Sequence, residues 1–568
     1  MKESEKASWK SLKWPGLTPS AVKIRDLATR IPLKLAVLSY KSSSHFLWVV
    51  FIGGTGTGKS TLFNTLVGKS LSQTGVERPK TNGPLAYAHK NTPIAIDFPF
   101  AAVDVRRVSS DQTPPLAYSG SPGQLLVLDH DLEEISHLVL VDTPDLDSLE
   151  LKNRQMVEDL QLLAEVVIFV ASQEKYADEV PFRFLERIHL GEKPYFLLLN
   201  KAEDELTAHE VLDALHGQGL KVGAERFLML RYVPANPSLS LAVAESFTHF
   251  RKTLFRLLNK AQALHVIQQE RTRAARETAR EIQLLIELLK EEDEAASKWV
   301  EQLEMVYQAA CQSLITKQEE RFVQESRAHI QREIAKHFSK YDLLGKPRRL
   351  ISQVMRMPLR ALGLWPAEST KSPGNELDEI CRKADLRMIQ TAVEGFNRLV
   401  LEKLSPHDET SALYKRLRDP NLVLTADEIR QQVQDEQARL MSWLEETFRR
   451  LAEGIPISKE LGIYSTSILW GGLIIVLEAA IGGGIHLLEA VLDTAIAPFV
   501  TKGAVDLFAY HELQKIVHDL GEHYKEALTA TLRIQRERYL ECLRTLIISP
   551  HTVQELAAVI RRVEAEAK

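Results

Sequence analysis

Residues 53–61 read GGTGTGKST, so Gly53 and Gly58 flank four residues and are followed at once by Lys59 and Ser60. This spacing suits the capture of a phosphate chain. Glycines at 53, 54, 56 and 58, with Thr55 and Thr57 between them, let successive backbone N–H groups turn toward one anion. Lys59 is placed to reach a β- and γ-phosphate, and the Ser60 hydroxyl to ligate Mg²⁺. The flanking elements must hold that loop. The apolar run FLWVVFI (46–52) predicts a buried strand, and Thr61 to Leu66 opens a helix whose N-terminal partial charge adds to the cradle. A glycine-rich turn that binds nothing leaves the order strand, loop, Lys-Ser, helix unexplained.

Two further strand ends carry polar residues. In HLVLVDTPD (137–145) the apolar run is followed by Asp142, an acid able to hold Mg²⁺ through water. In PYFLLLNKAED (194–204) the apolar run leads into Asn200 and Lys201, with Glu203 and Asp204 after them. Between loop and Asp142 lies TGVERPKTNGP (74–84), with two threonines, Thr74 and Thr81, and the cations Arg78 and Lys80.

The order of these motifs over residues 46–258 resembles the translation-factor superclass of GTPases, which holds the Era-like and dynamin-like families. The resemblance implies an α/β domain with a mostly parallel sheet, Mg²⁺ as cofactor, and GTP and GDP as ligands. It implies that Thr81, in an R-P-x-T setting, bonds the metal and orients the attacking water, with Thr74 as the alternative. Arg78 and Lys80 either neutralise transition-state charge or are solvated. The guanine reader of the superclass is [NT]-K-x-D, whose carboxylate accepts the ring N–H and exocyclic amine of guanine. Here Glu203 stands at the fourth place and Asp204 next to it. A last base contact falls at Ala235 in Pro234-Ala235-Asn236, unless this is a plain turn after a strand. One departure stands out. The superclass has glycine in D-x-x-G, and its N–H touches the γ-phosphate; this chain has Asp145, which adds a carboxylate there.

The 568 residues exceed one core. A net charge of −5 gives no basic field for nucleic acid, and no nucleic-acid partner is expected. Three cysteines, Cys311, Cys381 and Cys542, are too scattered for a disulfide framework or zinc site and suit a reducing compartment. The first residues show no apolar core of signal-peptide length.

From Ser238 to Leu344 there is no glycine or proline, which predicts long helices. Ile282, Leu285, Ile286 and Leu289 form one apolar stripe. A second helix is expected over 421–453, opened by the capping box Thr425-x-x-Glu428, with Leu440, Trp443, Leu444, Phe448 and Leu451 on its stripe. A third is expected over about 505–546, and a last one from Thr552-x-x-Glu555. Another helix is expected around Thr18 to Ser42. Such stripes bury on each other in a long all-α bundle.

The stretch 461–500 is the most apolar. Its first arm, 463–481, holds 19 residues and a single charge, Glu478. Gly482 to Gly484 turn the chain, and the second arm carries His486, Glu489 and Asp493. An acid at mid-bilayer costs about 2.5–3.5 kcal/mol, and two outweigh the apolar gain, so a hairpin dipping into one leaflet fits better than a second span. Lys459 and Lys502 bracket it, which keeps both ends on the cytoplasmic side. The alternative is the buried centre of the bundle. Residues 346–365, cationic and ending in Trp365, suit either an anionic lipid surface or a bundle linker.

This layout looks like that of bacterial dynamin-like proteins. The expected organisation is an N-terminal helical segment (1–45) packing on a stalk, a GTPase domain (46–260), a helical stalk (261–455), a membrane-associating hydrophobic hairpin (456–510) and C-terminal helices returning to the bundle (511–568). The family implies GTP hydrolysis, homo- or hetero-oligomers through heads and helices, and lipid remodelling or tethering at the cytoplasmic face of a membrane. Two rivals stand: a soluble Era-like GTPase acting on ribosome or RNA, and a nucleotide-binding scaffold with little turnover.

Overall fold

The computed structural model describes residues 9, 12–74, 83–109, 118, 120–148, 150–173, 179–203, 205–231, 245–325, 375–406, 408–453 and 507–566. Thr81, Arg78, Lys80, Asp204, Ala235, residues 346–365 and the hydrophobic stretch 461–500 lie outside them.

The N-terminal region is an α/β domain built on eight strands: β1 (Leu47–Gly53), β2 (Leu85–His89), β3 (Asp104–Val108), β4 (Gln124–His130), β5 (Leu138–Asp142), β6 (Val166–Ser172), β7 (Tyr195–Ala202) and β8 (Phe227–Arg231). They lie in the order β3-β4-β2-β5-β1-β6-β7-β8, and every neighbour pair is parallel except β2 with β5. Such a sheet is buried on both faces, so its central strands are apolar throughout rather than alternating. Every residue of β1 is buried, and the pleat sends Trp48, Val50 and Ile52 to one face and Leu47, Val49 and Phe51 to the other.

Helices cover the two faces. Against the first pack α1 (Ala21–Ser43), α3 (Leu151–Leu163), α4 (Glu179–Leu190) and α5 (Ala208–Gly217), through Tyr40, Leu160, Ile188 and Val211 among others. Against the second pack α2 (Lys59–Val67), α6 (Glu245–Leu257) and the start of α7 (Lys260–Glu325), through Phe63, Phe250 and Ile267.

Among the described residues, the glycine-free stretch predicted to be helical is interrupted once. Helix α6 ends at Leu257 and α7 begins at Lys260. Asn259 makes the break: its Oδ1 accepts from the N–H groups of Ala261 and Gln262 at 3.1 and 3.0 Å, so its side chain caps α7. Along α7, Ile282, Leu285, Ile286 and Leu289 are all buried, as their stripe predicts.

The chain divides into two compact units, residues 1–12, 23–287 and 549–568 in one, and 13–22 and 288–548 in the other. The first therefore holds α1 and the first part of α7, and Lys34 of α1 pairs with Glu277 and Glu281 of α7 at 2.6 and 2.9 Å. It also holds the last helix, α12 (Pro550–Glu566), expected with the bundle, whose terminal Glu566 carbonyl accepts from Arg271 at 3.0 Å. That helix starts two residues before Thr552. Ser549 caps it through the Thr552 N–H (3.2 Å), and Pro550 supplies the preset first residue.

The described residues of the second unit are mostly helical. The unit contains the remainder of α7, α8 (Asn375–Leu404), α9 (Ala412–Leu417), α10 (Ala426–Glu453) and α11 (Leu507–Arg544). Its core joins Trp299, Leu303, Phe396, Val400, Leu532 and Tyr539. Inside it, Tyr539 donates to the Asn397 Oδ1 (2.8 Å) and Trp299 to the Leu404 carbonyl (2.8 Å), while the Asn397 Nδ2 has no partner among the described residues. The capping box at Thr425 and Glu428 is present, with the Thr425 N–H donating to Glu428 at 2.8 Å. Arg538 also bonds Glu428 and holds its carboxyl down at about 2. Among the described residues, no helix is long and apolar enough to cross a membrane.

Candidate nucleotide site

The site forms at the C-terminal ends of β1, β5 and β7, with β6 lying between β1 and β7. The loop leaves β1 at Gly53 and enters α2 at Lys59. Gly56 and Gly58 take φ of 74° and 92°, values that L side chains rarely adopt. A Cβ on Gly58 would stand 2.3 Å from the Asn200 Nδ2, and one on Gly53 would meet the Val170 carbonyl at 2.1 Å. Thr57 ties the loop to itself by donating to the Gly54 carbonyl at 2.9 Å.

Lys59 is buried and uses all three ammonium hydrogens. It donates to the carbonyls of Gly53 (3.0 Å) and Gly54 (3.2 Å) and pairs with Asp145 at 2.5 Å. Ser60 donates to Asp142 Oδ2 at 2.6 Å, and Ser72 donates to the same oxygen at 2.7 Å. Asp142 is fully buried, and burial raises its pKa against the pull of those two hydroxyls and Lys59. Its other oxygen, Oδ1, has no partner among the described residues.

That orphaned oxygen is the test for a metal. A buried carboxylate oxygen beside a serine hydroxyl is a hard donor set, suited to Mg²⁺. Among the described residues no group of three or more His, Cys, Asp or Glu side chains clusters for a metal. Mg²⁺ does not need one, because it keeps waters and substrate phosphates as its remaining ligands. The residues fit such an ion.

Asn200 and Lys201 reach back from β7 onto the loop. The Asn200 Nδ2 donates to the Thr57 carbonyl at 2.9 Å, and the Lys201 Nζ to the Gly56 carbonyl at 2.8 Å. Lys201 adopts a left-handed φ of 58° within an irregularity of β7 between Leu199 and Ala202. Glu203 follows, exposed and flanked by Gln173 of the loop after β6. Gln173 donates to its carboxylate at 3.2 Å and accepts its N–H at 2.7 Å. Arg231 bonds the Glu203 carbonyl.

Of the residues singled out in the sequence, Gly53 to Thr61, Asp142, Asn200, Lys201 and Glu203 come together at these strand ends. Thr74 is exposed. Sequence reasoning missed four contributors. Ser72 shares Asp142, and is held there by Asn64, whose side chain accepts the Leu71 and Ser72 N–H groups and donates to the Ser72 carbonyl. Asp147 accepts from the Thr55 N–H (2.8 Å) and hydroxyl (2.5 Å). Gln173 and Arg231 fix Glu203. Asp147 lies two residues past the anomalous Asp145, which is the one sequence signal that pointed its way.

Residues 48–201 match the family model of the 50S ribosome-binding GTPases. No curated protein matches the chain significantly. Two solved structures, both described as an oligomerised bacterial dynamin pair for the long-range sensing and tethering of membranes, align with it at 12% identity and a TM-score of 0.37. The first alignment covers 100% of this chain and 95% of the other, and the second 99% and 94%. With loop, buried acid and Asn-Lys pair assembled on a mostly parallel sheet, residues 48–201 form a P-loop GTPase domain of the translation-factor superclass.

Proposed function

We propose that the chain is a dynamin-like enzyme that hydrolyses GTP to GDP and phosphate and couples turnover to self-assembly and contact with a lipid surface. The observation that carries the nucleotide half is the convergence of Asn200 and Lys201 on the carbonyls of Thr57 and Gly56. One scaffold thereby fixes the place of the base relative to the phosphates. Glu203 accepts the two guanine donors, with Ala235 as a further base contact. Lys59 and the amides of Gly53 to Thr61 carry the phosphate charge. Ser60 and Asp142, joined by Thr81, would hold Mg²⁺, which when bound neutralises charge on the β- and γ-phosphates. Thr81 orients the attacking water. The protein does no covalent work, so rate follows how well these groups are positioned.

The lipid half rests on composition: a nearly uncharged arm at 463–481 bracketed by Lys459 and Lys502, and the cationic stretch 346–365. Such a protein would sit peripherally, or dip one hairpin, at the cytoplasmic face. GTP and ATP turnover with and without anionic liposomes tests both halves. Faster GTP turnover on liposomes is the expected result. Equal use of ATP defeats the base assignment, and indifference to lipid defeats the membrane assignment.

The matched family's description favours a second reading, a GTPase acting on ribosomal particles. The net charge of −5 speaks against it. Co-sedimentation with ribosomes rather than liposomes would decide for it.

A further inference from the structure

The turn after β5 contains an arrangement that the proposed reaction does not use. Leu146 is buried, and its N–H bonds the Gly53 carbonyl at 3.2 Å, which fixes the turn against the start of the loop. The residues on either side of it are acids, and both reach the loop. Asp145 takes the third hydrogen of Lys59, and Asp147 takes the N–H and hydroxyl of Thr55. Every one of these donors belongs to the cradle that would hold a phosphate chain. Lys59 has no fourth hydrogen. A phosphate oxygen that bonds it must displace Asp145 or one of the two carbonyls, and the carboxylate is the partner on a movable side chain.

We propose that Asp145 and Asp147 are specificity-determining residues that compete with the terminal phosphate of a nucleoside triphosphate, and so set how strongly the site prefers triphosphate to diphosphate. The proposal rests on the nucleotide reading above. The cause is electrostatic. A terminal phosphate adds its charge beside two carboxylates drawn to the same cation and amide, so like charges meet unless the acids withdraw. A diphosphate leaves more of that space to the carboxylates and pays less repulsion. Each acid therefore weakens triphosphate binding more than diphosphate binding. Withdrawal of the acids frees the flanks of Leu146, and the turn then reports which nucleotide is bound.

The test uses the full chain with Mg²⁺. Calorimetry measures the affinities of a non-hydrolysable GTP analogue and of GDP for wild type, Asp145→Asn, Asp147→Asn and the double variant, with Glu150→Gln as a nearby acid outside the contact. Loss of a hydrogen bond to a charged group predicts that each single variant tightens the analogue by about ten- to a hundredfold. GDP affinity moves by much less, and Glu150→Gln moves neither. Hydrogen exchange gives an independent readout. In wild type, the amides of residues 143–148 lose protection with the analogue and keep it with GDP. If wild type binds both ligands and the affinity ratio stays put in both single variants, the inference is overturned while the nucleotide reading stands. If wild type binds neither ligand, the reading falls and takes the inference with it.

Discussion

The two ends of the parallel sheet both bury charge, and they treat it differently. At the ends where β1, β5 and β7 finish, Lys59, Asp142 and Asp145 meet, and one oxygen of Asp142 has no partner among the described residues. At the opposite ends, where β1, β6 and β7 begin, Lys41 pairs with Glu165 at 2.5 Å. The second oxygen of Glu165 accepts the Trp48 N–H at 2.7 Å, and Lys193 donates to the Gln161 carbonyl. Glu165 is 1% exposed and both of its oxygens are satisfied. The starting ends are closed electrostatically. The finishing ends keep an unspent oxygen and a lysine whose partners a phosphate can replace. The contrast separates charge that holds a fold from charge that waits for a ligand.

The sharpest way to break this comparison is Glu165→Ala. It strands a buried lysine and a backbone N–H, so the first unit should lose about 3–5 kcal/mol of stability, read by denaturant unfolding. Nucleotide affinity of the folded fraction should hold. If the substitution is silent in stability, the starting ends are not the fixed partner of the pair.

Lys59→Ala is the converse. It removes the group proposed to meet the phosphate charge, and turnover should fall about a hundred- to a thousandfold in a single-turnover assay. The melting temperature should barely move, because Asp145 is left partly solvated, with 23% of its side chain exposed. A large loss of stability would mean that Lys59 is structural after all.

Asp142→Asn sharpens the contrast further. Burial raises the Asp142 pKa, so the folded state carries its charge at a cost, and the amide removes that cost. Thermal melting without added nucleotide should rise by a few degrees, while turnover drops about ten- to a hundredfold. Lower stability together with unchanged turnover would refute the assignment.

The smallest effect concerns Lys193. Burial first, and Lys41 beside it second, bring its pKa down to about 7 from 10.5. Between those values the unfolded chain binds more protons than the folded one. Stability should therefore rise with pH from about 7 toward 10.5, with this contribution levelling off above. Lys193→Met should flatten that slope in a pH series of melting curves, and an unchanged slope would assign it to another group.

Local patterns in the sequence were enough to foresee the strand that ends at Gly53, the loop, the acid that ends β5 and the Asn-Lys pair near the end of β7. Each is a short motif at the end of an apolar run, and the spacing within the motif carries the chemistry. The partners of these groups were hidden because they meet across long separations. Ser72 reaches Asp142 from 70 residues away in the chain, and Asp147 reaches Thr55 from 92. The helical stretch was legible from its lack of glycine and proline and from the stripe at Ile282 to Leu289. Its break at Asn259 was not, since asparagine within a run of helix formers reads as tolerated until its side chain is seen capping. The start of the last helix was displaced because Thr552-x-x-Glu555 mimics a cap, whereas Ser549 and Pro550 supply the real one.

Gly58 has a consequence for how base preference can change. Any side chain there would stand 2.3 Å from the Asn200 Nδ2, so the phosphate and base sides of the proposed nucleotide site are in close contact. A redesign that widens the purine side must also shift the backbone under the phosphates, and selectivity and grip will be traded together rather than tuned apart.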